Sequence, residues 1–284
     1  RDGQVDGLID DPRQCHVDFG KMACGTSASP MCLSAPQVVA MQKIAKGPPH
    51  LAGVPKAYAY SLTGSIAGKP APQLGWEGWL MMGGKTAPMA KQYPDNILAN
   101  FTGISGVGAN NFDWKTHPSL FKTSLADIDG QPNMRRYFQR GGKLIIWHGW
   151  ADAAIPAEQT IGFYQDILRQ SGARAKTSVK LFMIPEMQHC FGGNGAAIFG
   201  QFAPPSQDIP PDRSVARAMQ MWVEQGRVPL SLVGRKGMVP TDEVKPDEKQ
   251  RLHCAWPASA RLKAGGNADV AADYVCRMPK VGRG

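Results

Sequence analysis

The sequence lacks the features that identify membrane, zinc-finger and nucleic-acid-binding proteins. It has no run of eighteen or more apolar residues and opens on a polar, acidic stretch, so we expect a mature or trimmed chain with neither a membrane span nor a signal peptide. Its cysteines form no CxxC pair and no zinc-finger spacing. The formal net charge is +9, yet the basic residues are scattered from Arg13 to Arg283, which argues against a nucleic-acid partner.

A further absence concerns serine nucleophiles. In the GxSxG turn, a serine is exposed between a strand and a helix. The segment Gly103-Ile-Ser105-Gly-Val107 lacks the second glycine of that pattern and precedes a polar stretch. The chain therefore contains no recognisable GxSxG turn that could carry a nucleophilic serine.

Length and composition are those of a globular protein. The 284 residues, 43% of them hydrophobic, can hold one large domain or two medium ones. Six cysteines without metal-site spacing indicate disulfides and an oxidising compartment, so we expect a secreted or periplasmic protein.

Two cysteine pairs are close enough in sequence to close local loops, Cys24–Cys32 and Cys254–Cys276. Cys15 and Cys190 remain. These two either pair with each other or take partners outside this chain.

The most informative stretch runs from residue 141 to residue 193. Lys143–His148 is a nearly continuous apolar run, typical of a strand buried on both faces of a parallel sheet. From Pro156 to about Gly172, apolar residues recur at helical spacing, with proline in the first turn and glycine at the end. Val179–Ile184 reads as a second strand. The pattern predicts two parallel strands joined by a crossover helix.

An acid and a histidine follow these two strands. Asp152 lies just past the first strand and His189 a few residues beyond the second, which puts both at the same edge of the sheet. This order matches the second half of a Ser-Asp-His hydrolase, in which histidine is the base and aspartate orients it. The neighbouring Cys190 would have difficulty presenting its thiol to the ring of His189, so a disulfide suits it better than a nucleophilic role.

The opening segment is acidic. It places Asp2, Asp6, Asp10 and Asp11 among glycines with no helical period. Oxygen ligands on a glycine-bearing loop suit a hard cation such as calcium. The spacing is not that of an EF-hand, and an acidic turn without a metal is the alternative.

Between the acidic segment and the strands, the sequence predicts a helix and an irregular insertion. A capping-box pattern at Ser34 and a stop at Gly47 predict a short helix. From Tyr58 to Asn111 the chain is rich in Gly, Pro, Met and Trp and weakly periodic, as in a lid or binding surface. Its aromatic residues could instead form the core of the insertion itself.

Three further expectations concern the flanks of the strand pair. Asn133–Arg140 reads as a short helix leading into the first strand. Asp212 is expected to cap an amphipathic helix that ends at Gly226. The tail from Pro229 onward is expected to be irregular and basic and to be cross-linked by a Cys254–Cys276 disulfide.

Four segments together resemble the tannase and feruloyl esterase family: DGQVDGLIDDPRQC, HGWADAAIP, EMQHCFGG and LHCAW…ADYVC. The resemblance runs over the whole chain, and the family includes hydrolases of mono(2-hydroxyethyl) terephthalate. It implies a secreted or periplasmic α/β-hydrolase with a large, loop-rich lid inserted ahead of the Asp/His portion. Residues 1–140 would be the lid domain with a calcium-binding loop, and residues 141–284 the C-terminal part of the α/β-hydrolase core.

The resemblance also implies roles for individual residues. Asp152 would be the triad acid and His189 the base. Cys190 would be half of a disulfide beside the catalytic serine, and Cys15 would pair with a cysteine just upstream of Arg1. The serine and the oxyanion hole would lie on an N-terminal part that precedes this chain.

The same resemblance implies a structural calcium ion. Asp2 and Asp6 would bind it through their carboxylates, and Gln4 and Leu8 through their carbonyl oxygens. A further aspartate ligand would lie upstream, so the site in this chain would be incomplete.

The function implied is that of a serine esterase for aromatic carboxylic esters of the feruloyl, galloyl or chlorogenate type. Trp76, Trp79 and Trp114 are the candidates for holding the aromatic ring. We expect this chain to be inactive without the N-terminal part. The alternatives are a terephthalate monoester hydrolase of the same family and a non-catalytic module that binds carbohydrates or phenolics.

Overall fold

The computed structural model describes residues 6–26, 31–48, 58–62, 88–204, 208–237 and 248–279. Ahead of the strand pair, the α-helices of the described residues are α1 (Ala35–Lys46), α2 (Pro88–Thr102), α3 (Phe121–Ile128) and α4 (Arg135–Gln139). Helix α2 lies within the stretch from Tyr58 to Asn111 that is weakly periodic in sequence, and residues 63–87 of that stretch lie outside the described residues.

Helix α1 begins and ends as its sequence predicts. The main-chain N–H of Ser34 donates to Oε1 of Gln37 at 2.8 Å, which is one arm of the capping box. Gly47 follows the last turn with a φ of +77°, a conformation that glycine adopts without strain.

Aromatic rings hold α2 and α3 together. Phe101 lies edge-on to Phe121 with ring centroids 5.5 Å apart, and Phe112 meets Trp114 in the same manner at 4.8 Å. Phe112 is buried, whereas Trp114 is 61% exposed. The aromatic residues of this part therefore include core members as well as an exposed ring.

The centre of the second half is the predicted strand, helix and strand. Strand β1 (Leu144–Gly149) pairs in parallel with β2 (Val179–Ile184), with Leu144 opposite Val179 and Gly149 opposite Ile184. Between them lie helix α5 (Ala157–Gln170) and the short α6 (Ala175–Ser178). The sequence predicted both strands and the crossover helix to within about two residues, because each has a strong apolar pattern.

Helices cover both faces of this strand pair. On one face, Ile161 and Ile167 of α5 pack with Leu181 of β2, together with Phe138 of α4. On the other face, Phe182 packs with residues of α7 (Val215–Gln225). Since successive strand residues point to opposite faces, burial on both sides requires a continuous apolar run.

The start of α7 differs from the expectation. Ser214, which is fully buried, is the N-cap residue, and its side chain accepts from the N–H of Arg217 at 3.2 Å. Asp212 lies in the preceding 3-10 turn, Pro211–Arg213. The prediction that Asp212 caps this helix was wrong, because Pro211 begins a separate 3-10 turn that contains Asp212 and ends before the helix.

The tail is not irregular, contrary to the expectation. It forms two antiparallel pairs, β3 (Ser231–Arg235) with β4 (Gln250–Cys254), and β5 (Ser259–Leu262) with β6 (Tyr274–Arg277). These strands are four or five residues long, too short for their alternating burial to stand out in sequence.

The tail is fastened to the rest of the chain at two points. The predicted Cys254–Cys276 disulfide is present and joins β4 to β6. The N–H of Trp256 donates to the carbonyl oxygen of Leu181 at 2.7 Å, and Phe182 forms an isolated antiparallel β-bridge with Ala255. Strand β2 therefore has neighbours on both edges, whereas β1 pairs only with β2 in the described part of the chain.

A buried ionic group ties the opening segment to β4. Arg251 donates to Oδ2 of Asp6 at 2.5 Å and to Oδ1 of Asp10 at 2.7 Å. All three side chains are less than 10% exposed, and the guanidinium also lies 4.9 Å from the ring centre of Tyr274. The sequence placed Asp6 in an acidic loop but gave no sign of its distant cation.

Candidate active site

The candidate site lies where β1 and β2 end. The N–H of Trp150 donates to the carbonyl oxygen of Ile184, and that of Ala151 to the carbonyl oxygen of Met187, both at 3.0 Å. A Cβ atom on Gly149 would collide with the main chain at Met187. Glycine at this position therefore lets the loop after β1 lie directly against the segment that leads to His189.

Asp152 is held rigidly in this loop. Its Oδ1 accepts the N–H groups of Ala154 and Ile155 at 2.8 and 2.9 Å, and its side chain is 3% exposed. Burial by itself would raise the pKa of this carboxyl group, but hydrogen bonds from His148 and His189 outweigh it and hold the pKa well below its usual range. Asp152 is therefore a buried carboxylate, charged at neutral pH.

His189 meets this carboxylate directly. Its Nδ1 lies 2.8 Å from Oδ2 of Asp152, and its side chain is 31% exposed. The hydrogen bond with Asp152 raises the pKa of His189 above its ordinary value, against the opposing effect of burial. With Nδ1 committed to the carboxylate, proton transfer to another molecule would run through Nε2.

The loop that carries His189 is fixed by contacts that sequence reasoning missed. The side-chain amide of Gln201 donates to the carbonyl oxygen of Cys190 at 3.1 Å and to that of Ala197 at 2.7 Å. Its Oε1 accepts the N–H of Phe199 at 2.9 Å. No sequence signal marks Gln201, since only the folded loop brings these three groups together.

Cys190 is next to His189, in the left-handed region with a φ of +59°. Partial burial and then the charge of Asp152 raise the pKa of its thiol, which disfavours the nucleophilic thiolate. The structure forms the expected Cys24–Cys32 disulfide but does not link Cys190 to Cys15.

A second histidine reaches Asp152. His148 Nε2 lies 3.3 Å from Oδ2 of Asp152, four residues along the chain. This histidine opens the segment HGWADAAIP, for which the sequence predicted a role only at Asp152. The only sequence signal for a role of His148 was its position directly before Gly149, the last residue of β1.

The other candidate residues either make contacts of their own or fall outside the described residues. Trp114 belongs to the aromatic cluster of α2 and α3, and Trp76 and Trp79 fall outside the described residues. Asp2 and Gln4 also fall outside. The N–H of Leu8 donates to Oδ1 of Asp6 at 3.0 Å.

In the described part of the chain, no three His, Cys, Asp or Glu side chains are grouped so that they could hold a metal ion. Within the same ranges, no helix is both long and apolar enough to cross a membrane.

Comparison with known proteins gives a consistent result. A family model described as tannase and feruloyl esterase matches residues 1–277. An uncharacterized esterase of Xanthomonas campestris is 28% identical, over 97% of this chain and 52% of its own length. A mono(2-hydroxyethyl) terephthalate hydrolase of Piscinibacter sakaiensis is 25% identical, over 98% of this chain and 49% of its own.

Solved structures confirm the expected fold class. Feruloyl esterase B of Aspergillus oryzae superposes with a TM-score of 0.75 at 21% identity, over 97% of this chain and 53% of that one. At this identity the likeness shows the fold, which is of the α/β-hydrolase type. The chain spans about half the length of the relatives it matches.

Proposed function

Because the chain belongs to the tannase and feruloyl esterase family, we propose that it supplies the acid and the base of a serine esterase. The observation that carries the proposal is the contact of 2.8 Å between Nδ1 of His189 and Oδ2 of the buried Asp152. A charged carboxylate that orients a partly exposed imidazole is what general-base activation of a hydroxyl nucleophile requires.

In the proposed reaction, Nε2 of His189 takes the proton of a serine hydroxyl while the serine oxygen attacks the ester carbonyl carbon. The imidazolium is stabilised by Asp152 and returns the proton to the departing alcohol. Water, activated by the same nitrogen, then hydrolyses the acyl-enzyme and releases the acid.

We place the serine on a segment outside these residues. The chain has no GxSxG turn, and it matches only about half of each relative. In the described part of the chain, β1 has one strand neighbour, so its other edge can pair with a strand of that segment. The chain alone would then lack esterase activity.

Cys190 is the proposed link to that segment. A disulfide from Cys190 to a cysteine near the serine would hold nucleophile and base in register, and Cys15 would form a second link. We use 'intact protein' for this chain together with its proposed N-terminal part. Both residues should appear in disulfide-linked peptides when the peptides of the intact protein are mapped without reduction. Cys15 and Cys190 recovered joined to each other would contradict this arrangement.

For the substrate we propose aromatic carboxylic esters of the feruloyl, galloyl or chlorogenate type. The 61% exposed indole of Trp114 suits stacking on an aromatic ring, and Trp76 and Trp79 stay candidates from sequence. Residues 1–140 would form the lid. Two disulfides fit a secreted or periplasmic location.

Labelling by a fluorophosphonate tests the catalytic proposal as a whole. We expect the intact protein to be labelled on a serine by a fluorophosphonate and to hydrolyse methyl ferulate or methyl gallate. Mass spectrometry of the labelled peptide would identify the serine. An intact protein that binds phenolic esters but takes no label would be a binding module and would overturn the proposal.

A second candidate substrate follows from the terephthalate hydrolase among the relatives. That reaction involves a substrate with a free carboxylate, which needs a cation in the site. Comparing hydrolysis of a terephthalate monoester with that of its uncharged methyl ester separates the two substrate classes. Faster hydrolysis of the charged ester would favour the monoester hydrolase.

We further propose a structural calcium ion in the opening loop, held by Asp2, Gln4, Asp6 and Leu8. The fit is partial in the described residues, because one carboxylate oxygen of Asp6 contacts Arg251 and the other accepts the N–H of Leu8. Calcium binding would therefore require Asp6 to share or exchange these partners.

A measurement of thermal stability tests for this ion. A ligand that binds only the folded state stabilises it by about 2.7 kcal/mol at a hundredfold excess over its dissociation constant. We expect calcium to raise the Tm of the intact protein relative to EDTA and Asp2→Asn to abolish the difference. Asp18→Asn, at another acidic turn, should keep it. Equal Tm values with and without calcium would refute the site.

A further inference from the structure

His148 contacts the proposed triad although it is no part of a Ser-His-Asp arrangement. It is the next-to-last residue of β1, and its side chain is only 10% exposed. Its Nε2 lies 3.3 Å from Oδ2 of Asp152 and 3.2 Å from the carbonyl oxygen of Ile155. The same carboxylate oxygen also lies 2.8 Å from Nδ1 of His189.

The far side of the His148 ring is fixed by α5. Nδ1 of His148 lies 2.7 Å from Oγ1 of Thr160. The main-chain carbonyl of Ile155 can only accept, so Nε2 carries the proton and Nδ1 accepts from the Thr160 hydroxyl. One tautomer of His148 therefore satisfies all three contacts.

We propose that His148 is a positioning residue that holds Asp152 against His189 and shares the charge of Oδ2. The inference rests on the proposed function, since it concerns the acid of that triad. With Oδ1 already fixed by two main-chain N–H groups, the Nε2–H of His148 limits how Oδ2 can turn. His148 thus acts on catalysis through Asp152, without touching the substrate.

The charge sharing has a consequence for pH dependence. Among the described residues, His148 from β1 and Cys190 from the loop after β2 interact electrostatically with the Asp152–His189 pair, and the hydroxyl of Tyr60 donates to the carbonyl oxygen of Ala154 in the Asp152 loop. From α5, the hydroxyl of Thr160 reaches His148. Without the donor on His148, more of the negative charge of Oδ2 acts on His189. The pKa of His189 should then rise further. The acidic limb of the pH profile of kcat/KM, where activity falls as His189 is protonated, should therefore move to higher pH.

The test compares two amides at position 148 in the intact protein. In His148→Gln, the amide nitrogen can reach the place of Nε2, whereas in His148→Asn it reaches only the place of Nδ1. We expect His148→Asn to lower kcat on the order of 10- to 100-fold, the effect of losing one hydrogen bond to a charged group. KM should change less than about twofold. His148→Gln should restore most of the rate and the position of the acidic limb.

A second pair of variants keeps the test decisive if His148→Asn does not fold. Thr160→Val removes the hydroxyl that fixes the tautomer and should lower kcat a few-fold, with the acidic limb displaced in the same direction. Thr177→Val, which removes an exposed hydroxyl at the end of α6, should leave both unchanged.

The outcomes separate this inference from the proposed function. A wild-type protein that takes no fluorophosphonate label removes the function and the positioning role together. The inference is also overturned if the wild type is labelled but His148→Asn and His148→Gln lose rate equally and the acidic limb does not move. His148 would then have a purely structural role. Wild-type kcat and pH profile in His148→Asn would likewise overturn the inference while leaving the function intact.

Discussion

Replacing His189 by alanine in the intact protein should abolish the burst of alcohol release under excess substrate. The variant removes the base that takes the serine proton and later returns it to the alcohol, so acylation itself becomes slow. We expect kcat to fall by about 10,000-fold to a million-fold, leaving the contribution of binding and the oxyanion hole. Stopped-flow measurement of alcohol release from methyl ferulate gives the burst amplitude directly.

The matched control is His16→Ala. His16 is an exposed histidine of the opening segment, so its loss should change neither burst nor steady-state rate. An undiminished burst in His189→Ala would show that another group activates the serine, and the assignment of the base would be wrong.

Replacing Asp152 by asparagine should lower kcat on the order of 10,000-fold. The carboxylate at 2.8 Å sets the tautomer of His189 by accepting from Nδ1–H and stabilises the imidazolium that forms in the reaction. An amide in its place keeps the size of the side chain but loses the charge. Steady-state kinetics on the intact protein, with single-turnover rates for the acylation step, measure the loss.

Asparagine is the informative substitution at this position because it preserves the loop. Its oxygen can still accept the N–H groups of Ala154 and Ile155, so the variant should keep a Tm close to that of the wild type. Asp166→Asn, at a half-buried carboxylate of α5 that pairs with Arg169, is the control and should retain full activity. A rate for Asp152→Asn within about tenfold of the wild type would be incompatible with a triad acid.

The two substitutions around Asp152 should displace the pH profile in opposite directions. His189 must be neutral to act as a base, and its hydrogen bond with Asp152 raises its pKa, so activity should fall as pH drops through a pKa above the ordinary histidine value. Removing the charge in Asp152→Asn lowers that pKa and moves the acidic limb to lower pH. Removing the competing donor in His148→Asn moves it to higher pH.

The sequence was informative where a short apolar run must be buried on both faces. Lys143–His148 and Val179–Ile184 predicted β1 and β2, and the period between them predicted α5, because burial leaves few ways to arrange such segments. Strand order then put Asp152 and His189 at one edge, and the structure brings them to 2.8 Å.

Features that depend on distant or short segments were not predicted. The strands of the tail are too short to show a period, and the cap of α7 moved to Ser214 because a proline turn intervenes. The partner of Asp6 is Arg251, which lies 245 residues further along the chain. Hydrogen bonds between distant residues leave no local pattern in the sequence.

By itself, the sequence determined the parallel strand pair, its crossover helix, the two local disulfides and the order of acid and histidine. The strands and the helix follow from residues a few positions apart, and the two disulfides close separations of 8 and 22 residues. Only the tertiary structure decided which groups share the carboxylate of Asp152. The reach of His148 and its fixation by Thr160 depend on the angle at which α5 packs on β1, and side-chain packing sets that angle.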